Sequence, residues 1–436
     1  MKAVILVGGK GTRLNKITKQ IIPKPMVKIG SLPVLEHQIR LLKKYGFKDI
    51  ILLTGYLSSP IKNHFQDGKK LGVNINYFEE DKPLGTAGAV KGIEKQLTND
   101  FVVLYGDVML DLDLRRLVQF HQDKKSCCTL VVHPNDHMHD SDLVEMNQDC
   151  YVTAFHSKPH PLRKYFQNLS NACAYVMSPS ILKYIKKNQE TDFAQDVFPK
   201  LLGQKIMTGY NTPEYIKDMG TLDRLKQVSQ DYFRGKIKKL NLKNKRRAIF
   251  LDRDGVINYD PDNLSKIKNF KLLPKTTKAV KLLNSSDYLT IVVTNQPMIA
   301  KGFMSFETLA QIHKKMETLL GRKGAKLDGI YFCPHHPDKG FPGEVPGLKI
   351  ECSCRKPKPG LILKAVKDFN IDLANSWIVG DSETDIEAGL NAGIKTLLVG
   401  KNQKSFQQCK HKTQKTRDLY SAVNLILKND NNQNTV

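Results

Sequence analysis

The stretch Phe250-Leu251-Asp252-Arg253-Asp254-Gly255 sets two carboxylates two residues apart at the end of an apolar run. In extended backbone, side chains at i and i+2 share a face, so Asp252 and Asp254 project together. One can attack phosphorus as a nucleophile while the other works as general acid and base. A D-x-D-G after an apolar run also suits a calcium loop or a surface turn, so other segments must decide. Leu289–Val293 runs into Thr294-Asn295-Gln296, a hydroxyl and amides at a strand end where open α/β sheets bind ligands. Cys354-Arg355-Lys356-Pro357 brings fixed cations for phosphoryl oxygens. Trp377–Gly380 leads into Asp381 and Asp385, and a carboxylate at 381 suits Mg²⁺, which favours carboxylates, waters and substrate phosphate.

A second constellation lies between these. Cys333-Pro334-His335-His336 is followed, sixteen residues later, by Cys352-Ser353-Cys354. Three thiolates and one imidazole make a closed tetrahedral set, the pattern of a structural rather than a catalytic zinc site. On spacing alone His336 rivals His335 as the fourth ligand. Cys127, Cys128, Cys150, Cys173 and Cys409 show no pairing pattern, so disulfides are not expected.

In the first half, residues 3–7 feed Gly8-Gly9-Lys10-Gly11-Thr12-Arg13. Glycines let the backbone approach phosphates closely, and successive N–H groups form an anion nest. The spacing fits neither the dinucleotide fingerprint nor the P-loop. Pro23-Lys24-Pro25, Pro83-Leu84-Gly85-Thr86-Ala87-Gly88, Gly106-Asp107, Ser157-Lys158-Pro159 and Asp218-Met219-Gly220 follow in order. His133, His137 and His139 with Asp140 read as a polar loop rich in histidine rather than a metal site.

The elements that must carry these groups alternate between apolar strand-like runs and helix-period segments. The runs are 3–7, 50–54, 73–78 and 101–105, then 247–251, 289–293, 328–332, 376–379 and 395–399, with Val34–Lys44 as a helix. Such alternation argues for α/β domains built on parallel sheets. The chain has 436 residues, 40% of them hydrophobic and 25% charged, as in a soluble protein of two or three domains. A basic, aperiodic stretch at 234–246 separates a first domain, 1–233, from a second, 247–428, and a polar tail over 429–436 is expected to fray. The net charge of +25 is spread along the chain without a basic helix or zinc finger, so small anionic substrates are expected rather than nucleic acid. No apolar run approaches a membrane span and no signal-peptide core is visible, so a cytoplasmic protein with no membrane association is expected. An oligomer is compatible with the sequence.

The second half resembles the haloacid-dehalogenase-type phosphatases, in the branch of the D-glycero-D-manno-heptose 1,7-bisphosphate and histidinol phosphatases. The resemblance covers roughly residues 247–425 and implies a Rossmannoid domain with a zinc-bound loop. It makes Asp252 the nucleophile, Asp254 the acid and base, and Thr294 and Lys356 the phosphoryl holders. Arg253, Asn295 and Arg355 become substrate contacts. Asp252, Asp254 (through its backbone carbonyl) and Asp381 hold Mg²⁺, Asp385 orients Lys356, and Cys333, His335, Cys352 and Cys354 hold Zn²⁺. The family commonly reads T-N-Q-S-G-I-A-R-G, where this chain has Thr294-Asn295-Gln296-Pro297-Met298-Ile299-Ala300-Lys301-Gly302. That departure keeps the hydroxyl and bears on substrate preference.

The first half, roughly 1–233, resembles the sugar-1-phosphate nucleotidyltransferases, above all the mannose- and heptose-1-phosphate guanylyltransferases. A Rossmann-like, GT-A-like domain is implied. Gly8, Gly9, Gly11, Thr12, Arg13 and Lys24 would bind the triphosphate, with Arg13 and Lys24 stabilising charge. Gly85, Thr86 and Gly88 would line the nucleobase region, Lys158 and Asn171 would meet the sugar phosphate, and Asp107 and Asp218 would hold Mg²⁺. Together the halves suggest one enzyme that dephosphorylates a heptose bisphosphate and activates the product with GTP, feeding lipopolysaccharide, capsule or S-layer glycan. A hexose-1-phosphate transferase fused to a histidinol phosphatase, or a silent sugar-nucleotide sensor, stays open.

Overall fold

The structure, a computed structural model, describes residues 1–9, 21–55, 57–80, 82–260, 264–400, 411 and 413–433. Contacts divide it into two units. The first comprises 1–133, 144–156 and 169–243, and the second comprises 134–143, 157–168 and 244–436.

In the first unit, Lys2–Leu6 pairs in parallel with Asp49–Thr54 on one side and Phe101–Tyr105 on the other, and Asn74–Glu79 extends the sheet in parallel beyond Asp49–Thr54. Val4 and Ile5 are both fully buried, as a strand covered on both faces requires, and the apolar run 3–7 reflects it. The sheet is not parallel throughout. Leu169–Met177 runs antiparallel to Phe101–Tyr105, an arrangement that needs no helical crossover. The helix Val34–Lys44 buries Val34, Leu35, Ile39, Leu41 and Leu42 at helical spacing against this core. A separate two-stranded ribbon pairs Val108–Asp111 antiparallel with Tyr215–Asp218.

The second unit holds a six-stranded parallel sheet in the order Gly329–Cys333, Leu289–Asn295, Ala248–Leu251, Trp377–Gly380, Lys395–Val399, Gln414–Thr416. Ala248–Leu251 is wholly buried, and truncating Phe250 at its centre would cost about 3–5 kcal/mol. From this strand the chain goes first to one neighbour and later to the other, which makes its carboxyl end a topological switch point where a ligand crevice opens.

Three features depart from the linear reading. Residues 134–143 and 157–168 leave the first unit and pack in the second, where Thr318 Oγ1 accepts the Phe166 N–H at 2.8 Å and donates to Phe166 O at 3.2 Å. The stretch expected as a joint is partly structured. Lys236–Lys239 is helical, Ile237 joins an apolar cluster, and the Leu242 N–H donates to buried Glu214 Oε1 at 2.8 Å, so the first unit runs on to Lys243. The expected tail begins inside the helix Leu419–Gln433, where Asp430 accepts from Arg247 and from the Tyr288 hydroxyl, both at 3.0 Å.

Candidate active sites and a cysteine–histidine cluster

Sheet register assembles the second unit's site. Leu251 lies level with Val292 on one side and Val379 on the other, so Asp252, Thr294 and Asp381 emerge at one edge. Lys356 reaches this edge from its loop. Its ammonium donates to Asp252 Oδ1 at 2.7 Å, to Val293 O at 3.0 Å and to Asp385 Oδ1. Burial alone would favour the neutral amine, but the two carboxylates outweigh it and hold Lys356 charged. Asn295 fixes the Lys356 backbone reciprocally, donating to Lys356 O at 3.1 Å and accepting from Lys356 N at 3.0 Å.

Carboxylates outnumber cations here. Oxygens of Asp252, Asp381 and Asp385 lie within 4.8 Å of one another. Both Asp385 oxygens are taken, Oδ1 by Lys356 and Oδ2 by the Ser382 N–H and hydroxyl that cap the following helix. Asp381 has no hydrogen-bond partner among the described residues. Burial, Asp252 and Asp385 push its carboxyl to about 8, and burial with Asp385 and Asp254 pushes Asp252 to about 7 despite Lys356. Gly255, at φ +76°, makes room: a Cβ there would lie 1.8 Å from Asp381 Oδ2. A partly buried carboxylate without a hydrogen-bond partner, facing a second one, fits a hard divalent cation such as Mg²⁺.

Asp254 is treated differently. It accepts from Arg253 Nε and Nη2, from Asn258 Nδ2 at 2.8 Å and from Gln296 Nε2 at 2.8 Å. Burial would raise its pKa, yet the Arg253 charge and these donors hold it below the ordinary value. Arg253, expected among the substrate contacts, has no exposed surface; its Nη1 meets His313 Nε2 at 3.2 Å. Burial and that guanidinium push His313 down to about 3, so its ring is neutral with Nε2 accepting. No local sequence pattern signals that Gln296 and Asn258 support Asp254 or that His313 meets Arg253, because only the fold brings them together. Arg355 Nη1 donates to His335 O at 3.3 Å, and Lys301, at the departure from the family pattern, lies 4.6 Å over the Phe341 ring.

Cys333, His335, Cys352 and Cys354 converge with neighbouring ligand atoms 3.2–3.6 Å apart, too far for disulfides and suited to surrounding one ion. His336 is not in this cluster; its ring stands edge-on to Phe341.

In the first unit, Asp218 is level with Val108, and the Met219 N–H donates to Asp107 O at 3.1 Å, so the two expected Mg²⁺ ligands share one end of the ribbon. Each is matched to a cation. Lys24 pairs with Asp107, and Arg224 Nη1 donates to both Asp218 oxygens at 2.8 and 2.7 Å. Hard carboxylate oxygens fit Mg²⁺ here too, in exchange for these partners. Gly8 and Gly9 follow the first strand, while Gly11, Thr12 and Arg13 lie outside the described residues. Gly85 and Gly88 allow a close approach: a Cβ at either would meet Thr191 O at 2.6 Å or Gln189 O at 2.7 Å. The Thr86 hydroxyl donates to Asp192 and accepts from the Phe193 N–H. Asn171 Nδ2 donates to the Tyr175 hydroxyl at 3.1 Å, and Lys158 Nζ, in the second unit, donates to Asp140.

These two arrangements define a transferase and a phosphatase on one chain. Residues 2–235 match the nucleotidyl transferase family and residues 353–423 the HAD-hydrolase-like family. The first match spans more than half of the chain, which belongs to the nucleotidyl transferase family and carries a HAD-like phosphatase behind it. Over 155 residues it is 43% identical to the D-glycero-alpha-D-manno-heptose-1,7-bisphosphate 7-phosphatase of Burkholderia mallei, covering 36% of this chain and 80% of that protein. The first half is 35% identical to a UTP–glucose-1-phosphate uridylyltransferase of Synechocystis, over 46% of this chain and 55% of that one. It is 34% identical to a mannose-1-phosphate guanylyltransferase of Mycobacterium tuberculosis, over 53% of this chain and 65% of that one. The chain thus spans between half and two thirds of the length of these transferases. Among the described residues, no helix is long and apolar enough to cross a membrane.

Proposed function

We propose that the protein removes the 7-phosphate of D-glycero-D-manno-heptose 1,7-bisphosphate and transfers GMP from GTP to the resulting D-glycero-α-D-manno-heptose 1-phosphate. The products are phosphate, GDP-heptose and pyrophosphate. The observation that carries this reading is the 43% identity to a 7-phosphatase of that bisphosphate, on a chain whose other half is a nucleotidyltransferase. One unit's product is the kind of substrate the other consumes.

In the phosphatase, Asp252 attacks the phosphorus, forming an aspartyl-phosphate as the bond to O7 breaks. Lys356 and Thr294 hold non-bridging oxygens. Asp254 protonates the leaving oxygen and then takes a proton from the water that hydrolyses the intermediate. Its donors favour the carboxylate suited to the second step, and the incoming phosphate dianion opposes Arg253 and helps Asp254 hold the proton needed for the first. Asp252, Asp381 and the Asp254 carbonyl would hold Mg²⁺, which supplies positive charge for the phosphoryl group. Cys333, His335, Cys352 and Cys354 would hold a structural Zn²⁺, pinning the loop that ends in Arg355 and Lys356.

In the transferase, an oxygen of the sugar 1-phosphate attacks the α-phosphorus in line and pyrophosphate leaves, a reaction of positioning and charge without a covalent intermediate. The loop from Gly8 to Arg13 and Lys24 bind the triphosphate. Gly85, Thr86 and Gly88 frame the nucleotide, Lys158 and Asn171 receive the sugar phosphate, and Asp107 and Asp218 would hold Mg²⁺. A reaction containing the bisphosphate, GTP and Mg²⁺, followed by HPLC, should yield nucleotide-heptose. Product that forms only after a separate phosphatase is added would reject the double function.

A further inference from the structure

The strand Leu169–Met177 carries an irregularity that sheet pairing does not require. It pairs regularly with Phe101–Tyr105 from Ala174 to Met177, yet Cys173, the residue directly before, has φ +54°. Glycine adopts that backbone freely, whereas a residue with a Cβ resists it. Such a residue persists where its surroundings over-determine it, and these positions gather at binding sites.

Two hydrogen bonds hold the bend, and both end on Asn171. Its Oδ1 accepts the Cys173 N–H at 3.3 Å, and its Nδ2 donates to the Tyr175 hydroxyl at 3.1 Å. In a straight strand, positions four apart stand roughly 13 Å from each other, so the bend at Cys173 lets the amide meet the phenol. Tyr175 is itself anchored. It is wholly buried, its ring stands edge-on to Tyr105 at 5.9 Å and to Phe198 at 5.2 Å, and its hydroxyl also hydrogen-bonds Tyr105. Asn171, by contrast, is only half-buried.

The two contacts agree on which way round the amide lies, because a backbone N–H requires its oxygen and leaves the nitrogen for the phenol. Among the described residues these are its hydrogen bonds, and one N–H and one oxygen lone pair are left over. A donor and an acceptor on one fixed amide match the hydroxyls of a sugar ring, each of which can give and accept a hydrogen bond.

Resting on the transferase reading, we propose that Tyr175 and the left-handed turn at Cys173 position Asn171, fixing its amide for the hydroxyls of the incoming sugar 1-phosphate. Tyr175 acts through Asn171 rather than on the substrate.

The test is pyrophosphate release by the full-length protein, with GTP against heptose 1-phosphate and, separately, mannose 1-phosphate. Tyr175→Phe keeps the ring in place and removes only the hydroxyl. It should raise KM for the sugar 1-phosphate roughly 10-fold, the scale of one lost hydrogen bond. KM for GTP and kcat should stay within about threefold. In an Asn171→Ala background, adding Tyr175→Phe should cost less than about twofold more, since the hydroxyl then has no amide to hold. Cys173→Gly, free to adopt the same backbone, should keep the parent's sugar KM, whereas Cys173→Val, whose branched side chain opposes it, should raise it. Calorimetric binding of GTP to each variant reports folding. Equal rises in KM for GTP and for the sugar overturn the inference, as does a Tyr175→Phe effect that persists in full without Asn171, because a tyrosine serving the core would act in those ways. An unchanged sugar KM in Tyr175→Phe overturns it while leaving the transferase reading standing. No pyrophosphate release by the parent with either sugar removes both.

Discussion

The two acidic sites settle their charge in opposite ways. In the transferase unit, Asp107 and Asp218 each have their own cation, Lys24 and Arg224, and both keep about a third of the side chain exposed. In the phosphatase unit, Asp252 and Asp385 share one buried lysine, Asp381 lies beside them, and Asp252 and Asp381 resist ionisation. Among the described residues, the first pair of acids is balanced by its own cations, which a bound polyanion could draw away. The second keeps its carboxyls from ionising together, and a divalent cation bound there would let them do so. Exposure decides between the two, because a wet carboxylate is solvated at little cost and a buried one is not.

The bluntest way to break this contrast is Asp252→Asn. Phosphate release should fall by about 10⁴-fold or more, as when a nucleophile is removed, while pyrophosphate release stays within about twofold. Equal loss of both activities would erase the independence of the two sites. Asp218→Asn should lower transferase kcat/KM by roughly 10²- to 10³-fold, the scale of one lost charge-stabilising group, and leave phosphate release intact. Cys352→Ser should lower zinc content by atomic absorption and cut phosphatase activity by roughly 10- to 100-fold through the loop that carries Lys356. Unchanged zinc stoichiometry would reject that ligand set.

The subtlest difference is in protons. Asp252 and Asp381 rise from an ordinary aspartate value to about 7 and about 8 in the folded protein. Raised carboxyls favour the folded state below the unfolded pKa near 4, and that contribution is lost as pH climbs through 7 and 8. The metal-free phosphatase unit should therefore melt at lower temperature as pH rises over that window, and Mg²⁺ should help it more at pH 8 than at pH 6. Adding Mg²⁺ at pH 6.5 should release on the order of one proton, read by calorimetry in buffers of different ionisation enthalpy. Asp218→Asn should leave that proton count as it is.

Much of this was legible in the chain. The strands under Asp252, Thr294 and Asp381 announce themselves as short apolar runs ending in polar motifs, and they lie within a residue or two of where the pattern puts them. The fourth zinc-type ligand was open on spacing between His335 and His336, and the fold brings in His335. What stayed hidden depends on long-range packing. Arg253 reads as a basic side chain beside two acids, yet it is wholly buried, with its guanidinium between Asp254 and His313. The docking of Phe166 on Thr318, across 152 positions, leaves no local trace. The basic stretch at 234–246 looked like a joint because its few apolar residues lack a period, although Ile237 and Leu242 suffice to anchor it.

Residue identity and order alone determined that this chain holds two phosphorus chemistries, since an acid pair, a hydroxyl and a lysine at such spacings have few other uses. Tertiary structure decided which acids stay charged and which arginine faces inward. The reason is physical: motif chemistry is carried by covalent neighbours, whereas desolvation and charge pairing depend on groups the chain brings together only by folding.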